Sequence, residues 1–425
     1  MRFITDLHLH GKYARATSKD LTLPNLEKYG KLKGVDILGT GDFQHPQWLG
    51  HLREHLAEID STGIYQTAGG QKFVLQSEIS LVFTQGGKGR RVHLVILAPS
   101  LEVVAQIQDA LRKKGRIDYD GRPIFGMSCV EFVDMMRSIS TDIEIIPAHA
   151  WTPWFGVFGS KSGFDSLQDC FLDRTKHIHA IETGLSSDPA MNWRLSQLDN
   201  IQIISSSDSH SYWPWRMGRE VTLFEFKKAT YRNLLSAIRT GDGLQSTIEV
   251  DPGYGMYHFD GHRACGTCYS PQEAKKRNYI CEVCRKEVTI GVLSRVEQLA
   301  DREDGFKPKS AKPFVSLLPL SELIAGVHGS GLATKKTWAA FHELMKAFPN
   351  EYAILLDASR QELLKAADEK LADVILQNRA GKIEVKPGFD GQYGVPVIAG
   401  KEVSVEKPAK EESKKKKSAT LDRWC

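Results

Sequence analysis

Four short apolar runs in the first half of the chain end on histidine or aspartate, with helical stretches between them. Residues 3–10 close with Asp6-Leu7-His8-Leu9-His10, and residues 35–42 close with Asp42. Residues 143–149 close with His149, and residues 201–210 with Asp208-Ser209-His210. Strand-like runs that alternate with helices imply an α/β fold with a largely parallel sheet. In α/β barrels the residues at the carboxyl ends of the strands gather on one face and carry the chemistry. Residues i and i+2 of a strand share a face, so His8 and His10 are expected to leave the first strand in one direction. Residues 73–83 and 91–97 flank Gln85-Gly86-Gly87-Lys88-Gly89 and read as a hairpin, with Glu78 in one arm and His93 in the other. A lone His-x-His is weak, as His177-Ile178-His179 shows; the recurrence of ligand types at strand ends is what points to metal.

Composition narrows the classes without choosing among them. With 425 residues, 41% hydrophobic and 25% charged, the chain can hold a barrel of about 250 residues plus appendages. Its longest apolar runs fall well short of the roughly 18 residues that span a bilayer, so no membrane association is expected. The start does not read as a secretory signal, and an intracellular protein is expected. A net charge of +4 does not by itself argue for nucleic acid.

His8, His10, Asp42, Glu78, His93, His149, Asp208 and His210 are the candidate metal ligands. Nitrogen and oxygen donors without cysteine suit Zn²⁺, Mn²⁺ or Mg²⁺, and this many exceed one tetrahedral ion. They suit two or three divalent ions with bridging carboxylates, an arrangement fit for phosphoester hydrolysis. Asp208, His210 and Glu78 are the catalytic candidates. Glu182 lies at another strand end and is expected behind a ligand. No His-Glu-x-x-His is present to suggest a metalloprotease.

These motifs resemble the PHP (polymerase and histidinol phosphatase) family over about residues 1–245. The resemblance implies a distorted seven-stranded (β/α) barrel and a multinuclear metal site. His8 and His10 match its first motif, Glu78 its bridging acid, and Asp208 and His210 its last. Asp42 stands where the family usually has a histidine. A further family histidine has no counterpart between Gly11 and Ser18.

A second signal follows the barrel. Cys265-x-x-Cys268 and Cys281-x-x-Cys284 form two knuckles, read as a structural Zn²⁺ site of four thiolates within a module at 251–290. Arg263, Lys275, Lys276, Arg277, Arg285 and Lys286, with Tyr269 and Tyr279 among them, suit phosphate contacts. Cys129 and Cys170 read as buried thiols. A mainly helical DNA-binding domain is expected over 291–400, including the Gly-rich segment 386–394, and a flexible Lys-rich tail over 401–425. Gly326-Val327-His328-Gly329-Ser330-Gly331 lacks the Gly-Lys-Ser/Thr of a phosphate loop, so no nucleotide cofactor is expected.

The order of barrel (1–250), cysteine module and helical domain resembles the endonuclease Q family over about residues 1–395. That resemblance implies a metal-dependent endonuclease of a prokaryotic cytoplasm, nucleoid-associated. It implies nicking of damaged DNA on the 5′ side of deaminated bases (uracil, hypoxanthine, xanthine) or abasic sites. A PHP-type small-molecule phosphoesterase and a non-catalytic DNA-binding protein with a structural metal cluster are the competing expectations. Aromatic loops at 151–163 and 212–216 are candidates for stacking on an everted base. The end of the chain resembles a degenerate sliding-clamp-binding box, with Leu421 and Trp424 in its apolar positions.

Overall fold

A computed structural model describes residues 1–403; the expected clamp-binding peptide with Leu421 and Trp424 lies outside the described residues. The chain is a mixed α/β protein whose helices lie between strands in the first half and dominate after residue 290. We label the principal strands β1 (Arg2–Asp6), β2 (Ile37–Gly39), β3 (Lys72–Gln85), β4 (Lys88–Ala98), β5 (Glu144–Pro147), β6 (Ala180–Glu182), β7 (Gln202–Ile204), β8 (Val221–Glu225) and β9 (Leu244–Glu249).

β1 pairs in parallel with β2 and antiparallel with β8; β2 continues in parallel to β3. β3 and β4 form a long antiparallel hairpin that turns through Gly86 and Gly87, both at positive φ. β5 pairs with β4, and β9 with β8. β6 and β7 form a separate parallel ladder. The pairing delineates an eleven-stranded sheet and this two-stranded ladder rather than one ladder of seven. Among the contacts that join them, Ala150 N donates to Glu182 O at 3.0 Å, and Ser205 N to the Thr222 hydroxyl at 2.9 Å. β1, β2, β5 and β6 are almost wholly buried, as near-continuous apolar strands require when both faces are covered.

The later parts are built onto this sheet. Strand Phe314–Ser316 pairs in parallel with β9, so the helical region extends the same layer. Helices Leu320–His328, Lys335–Ala347 and Glu369–Arg379 share the main apolar core with the strands. A buried ion pair, Lys33 Nζ to Glu351 at 2.7 Å, and a hydrogen bond from Tyr352 Oη to Gly218 O fasten them. The Gly-rich segment closes on the linker: Gly388 N donates to Gly253 O and Gly394 N to Tyr254 O. A side chain on Gly394 would collide with the Gly253 carbonyl. The segment beginning at residue 401 does not start as free tail, since Lys401–Glu402 pairs with strand Val395–Ile398.

Candidate metal centre

Side chains from five strands meet at one end of the sheet. His8 and His10 lie just past the end of β1, and both are fully buried. Glu78 sits on β3, where Ser80, two residues on, is paired with His93 on β4; alternation therefore places Glu78 and His93 on one face. His149 follows β5 and Asp208 follows β7. Asp42, His149 and Asp208 all have positive φ, of 41°, 29° and 47°. Left-handed backbone at a non-glycine residue costs on the order of 1–2 kcal/mol, and three instances at strand ends mark a site held in strain.

The donors form two groups. In the first, His8, His10, Glu78 and Asp208 each offer a ligand atom, all within 4.8 Å of one another. In the second, Glu78, His93 and His149 do the same. Glu78 is shared: one oxygen lies 3.2 Å from His10 Nε2, and the other lies 2.9 Å from His93 Nδ1 and 3.2 Å from His149 Nε2. His8 Nε2 is buried without a hydrogen-bond partner, 3.5 Å from both Glu78 and Asp208. An orphaned imidazole nitrogen aimed between two carboxylates is what a cation site requires, so the residues fit divalent ions.

A further layer orients these donors. Glu182 accepts from His8 Nδ1 at 2.8 Å, which turns Nε2 toward the centre, and also from the backbone N–H of His149 at 3.2 Å. Asp6 accepts from Ser207 N and Gly218 N, fixing the turn that carries Asp208. The charges agree with this layout. Burial opposes charge on His8, yet Glu182, Asp208 and Glu78 outweigh it and hold the imidazole well above its usual range. Burial likewise opposes charge on Glu78, but His93, Arg122 and His8 hold it well below the carboxylate range. Burial pushes His93 down to about 3 and His210 to about 4, which leaves His210 neutral with a lone pair.

Two expected ligands stand apart from both groups. Asp42 accepts from Gly11 N at 2.5 Å and faces His10 Nδ1 at 3.1 Å, a position from which its carboxylate orients the His10 ring. Gly41 permits this: at φ 66°, a Cβ there would strike the His10 backbone. His210 donates from Nδ1 to the carbonyl of Asp208 at 3.0 Å and stands at the partly exposed rim, its Nε2 carrying the lone pair. Arg122 escaped the sequence reading because no strand pattern or motif marks it. Its guanidinium reaches Glu78 at 3.0 Å.

In the cysteine module, Cys265, Cys281 and Cys284 converge with His262, whose Nδ1 lies 3.3 Å from Cys284 Sγ, as four donors that could hold one ion. Cys268 lies outside the group and is exposed. Strand alternation explains this: Thr267 faces Cys281 at 3.5 Å, so the next side chain on strand Thr267–Tyr269 points away. A His-x-x-Cys spacing at 262–265 overlaps Cys265-x-x-Cys268 and could have raised this alternative. Cys129 and Cys170 are buried, as expected.

The aromatic loops divide. Trp151 is buried against Phe158. Trp213 and Trp215 stack at 4.8 Å and pack on Trp338 of the helical region, which makes them joints between regions. Trp154, with Arg90, Arg91 and Lys161, instead lines an open cavity of about 510 Å³.

Nitrogen and oxygen donors arranged in two groups around one shared glutamate could hold divalent ions, an arrangement suited to metal-assisted hydrolysis. A family model described as the MJ0043 C-terminal domain matches residues 319–382. MJ0043 of Methanocaldococcus jannaschii is 34% identical over 281 residues, covering 65% of this chain and 34% of that protein; the chain thus spans about a third of that relative's length. The lesion-specific endonuclease PfuEndoQ of Pyrococcus furiosus is 32% identical, with a TM-score of 0.83 and coverage of 94% of this chain and 96% of that one. A crystal structure of endonuclease Q with a 27-mer duplex bearing an abasic lesion at its active site is 33% identical, with a TM-score of 0.84 and coverage of 94% and 97%. The chain belongs to the endonuclease Q family and is thereby a nuclease, a phosphodiester hydrolase. Among the described residues no helix is long and apolar enough to cross a membrane.

Proposed function

We propose that the chain is a metal-dependent DNA repair endonuclease that nicks on the 5′ side of deaminated bases (uracil, hypoxanthine, xanthine) and of abasic sites. The observation that carries this reading is the match, over nearly the whole of both chains, to a lesion-specific endonuclease and to its complex with an abasic duplex. The two donor groups sharing Glu78 support metal dependence. Divalent ions held there would supply charge stabilisation at the phosphate and a nucleophile at neutral pH. The chain's own residues do the positioning. Glu182 and Asp42 fix the rings of His8 and His10, and Asp6 fixes the turn of Asp208. The neutral His210 at the rim can accept or pass a proton through Nε2. The strands β1 to β7 would form the distorted barrel, with Zn²⁺ bound by His262, Cys265, Cys281 and Cys284 bracing the module beside it. Arg90, Arg91, Lys161 and Trp154 offer a basic and aromatic wall suited to a DNA strand. Such an enzyme would work in a prokaryotic cytoplasm, at the nucleoid.

The test is a set of labelled duplexes carrying uracil, hypoxanthine, xanthine, an abasic site or no lesion, incubated with the wild-type protein and Asp208→Asn. We expect wild-type nicks on the 5′ side of each lesion, abolished by chelation, and a loss of at least about a thousandfold in Asp208→Asn with duplex binding retained. Unchanged nicking by Asp208→Asn would overturn the assigned centre. Hydrolysis of a small phosphate monoester by a protein that ignores every duplex would favour a small-molecule phosphoesterase.

A further inference from the structure

One cation of the centre is already covalently part of the chain. Arg122 follows the tight segment Tyr119-Asp120-Gly121, which is pinned against the centre. Asp120 accepts from the backbone of Arg15 and Arg122, each at 3.1 Å, and Gly121 N donates to Tyr13 O. Gly121 approaches so closely that any side chain there would collide with the Asp42 carboxylate. This clamp delivers the Arg122 guanidinium to the shared ligand: Nη1 lies 3.0 Å from Glu78 Oε2. Glu78 is fully buried, while the Arg122 side chain is 28% exposed, so the guanidinium bridges the buried donors and solvent. Burial opposes its charge, and Glu78 and Asp208 more than restore it.

Among the described residues no third group of three donors converges at this rim, where His210 stands outside both groups. Asp42, the carboxylate nearest to Arg122's supporting loop, is held by Gly11 N and His10 Nδ1. The remaining His/carboxylate group among the described residues, His51, Glu54 and His55, is on the exposed face of helix Pro46–His55. Two donor groups share Glu78, and the positive charge beside them at the rim is a guanidinium. Of the five N–H donors of an arginine, one is used on Glu78. The others form a planar fork suited to two oxygens of a phosphate, and they carry a charge that never titrates in water.

We propose that Arg122 is a catalytic residue: it holds a non-bridging oxygen of the scissile phosphodiester beside the two donor groups that share Glu78. This rests on the phosphodiesterase reading above. In the reaction a water oxygen joins phosphorus and the bond from phosphorus to the leaving sugar oxygen breaks; one water proton ends on that sugar oxygen and the other stays on the new phosphate hydroxyl. Arg122 neither gives nor takes a proton, but stabilises the charge that grows on the non-bridging oxygens.

The experiment uses the full-length protein with its cysteine-bound zinc, loaded with Mn²⁺ and freed of excess, as wild type, Arg122→Ala and Arg122→Lys. Elemental analysis should give the same Mn²⁺ content per chain in all three. Calorimetry with inorganic phosphate should show about tenfold weaker binding to Arg122→Ala than to wild type. Single-turnover nicking of an abasic duplex should fall about 100- to 1,000-fold in Arg122→Ala, the size expected for one lost oxyanion donor. It should recover in part with added guanidinium ion, and Arg122→Lys should lie between. Nicking by Arg122→Ala within threefold of wild type would overturn the proposal. So would loss of Mn²⁺ from Arg122→Ala, because Arg122 would then merely hold Glu78 in place. A wild-type protein that nicks no lesion would sink the functional reading instead; ion count and phosphate binding, which need no DNA, would still judge Arg122.

Discussion

The donors of the strand-end centre span residues 8 to 208, and all but Asp208 are buried. Those of the cysteine module span residues 262 to 284, and only Cys281 is buried. In the first case the sheet must form before the donors meet, and the core, not the metal, holds the fold. The strained φ values at His149 and Asp208 show that the scaffold imposes the geometry. In the second case the buried apolar residues are few, with Tyr269, Ala274, Cys281 and Val288 forming a cluster of their own. A module that small depends on its ion to fold. Sequence-local sites are therefore easy to see but leave neighbouring donors such as His262 and Cys268 in competition, whereas dispersed sites need the fold but leave less freedom.

The sharpest break of this comparison is a pair of substitutions in the module. Spread over four ligands, the binding energy of a structural zinc makes one ligand worth a factor of roughly 10²–10³ in affinity. His262→Ala should therefore lose zinc to a competing chelator at concentrations that leave the wild type loaded, and the released metal can be read with a colorimetric indicator. Cys268→Ser should release none. If Cys268→Ser loses zinc and His262→Ala keeps it, the four-cysteine set is right and the exposed position of Cys268 is not its place in the zinc-bound protein.

That ambiguity shows what can be read in the sequence. The α/β alternation, the hairpin through Gly86-Gly87 and the convergence of His8, His10, Glu78, His93, His149 and Asp208 followed from strand periodicity and from ligand types at strand ends. The place of Asp42 beside the His10 ring did not follow, because it depends on the Gly11 backbone N–H within reach of a carboxylate thirty-one residues away. Arg122 sits in an irregular loop whose path is set by hydrogen bonds that Asp120 accepts from Arg15, so no periodicity could place it. The pairing of Phe314–Ser316 with β9 was equally hidden, since three residues carry too little pattern to announce a strand.

A buried carboxylate away from the centre sharpens the comparison from another side. Glu78 is held well below the carboxylate range by the positive groups around it. Glu322, on helix Leu320–His328, accepts from Tyr254 Oη at 3.0 Å, but burial outweighs this and the nearby arginines and pushes it up to about 7. Between its ordinary value of 4.5 and 7, the folded chain keeps a proton that the unfolded chain has released. Stability from this group is thus fully present below pH 4.5 and is lost as pH rises toward 7. Glu322→Gln should lack that loss. Urea midpoints at pH 5 and pH 7.5 should show the wild type falling by about 2 kcal/mol relative to the variant. Parallel curves would mean that Glu322 is charge-matched after all, as Glu78 is.

The smallest expected effect tests the carboxylate behind the ligands of the strand-end centre; behind Cys281 of the module stands the neutral hydroxyl of Thr267. Glu182→Gln keeps the side chain's shape and an oxygen that can accept from His8 Nδ1 or from His149 N, but removes the charge. The His8 ring can then stay in place while Nε2 becomes a weaker donor. Outer carboxylates of this kind are worth about 10- to 100-fold in metal affinity, and retention of the hydrogen bond argues for the lower end. Titrating Mn²⁺ into metal-stripped protein should show about a tenfold loss at one of two sites, the one containing His8, with the site of His93 and His149 shifted less. Because Glu182 Oε2 also accepts from His149 N, an equal shift at both sites would mean that the glutamate acts by fixing the backbone at His149 rather than by tuning His8. An unchanged titration would remove the outer layer from the list of differences, leaving burial and backbone strain alone to separate the centre from the module.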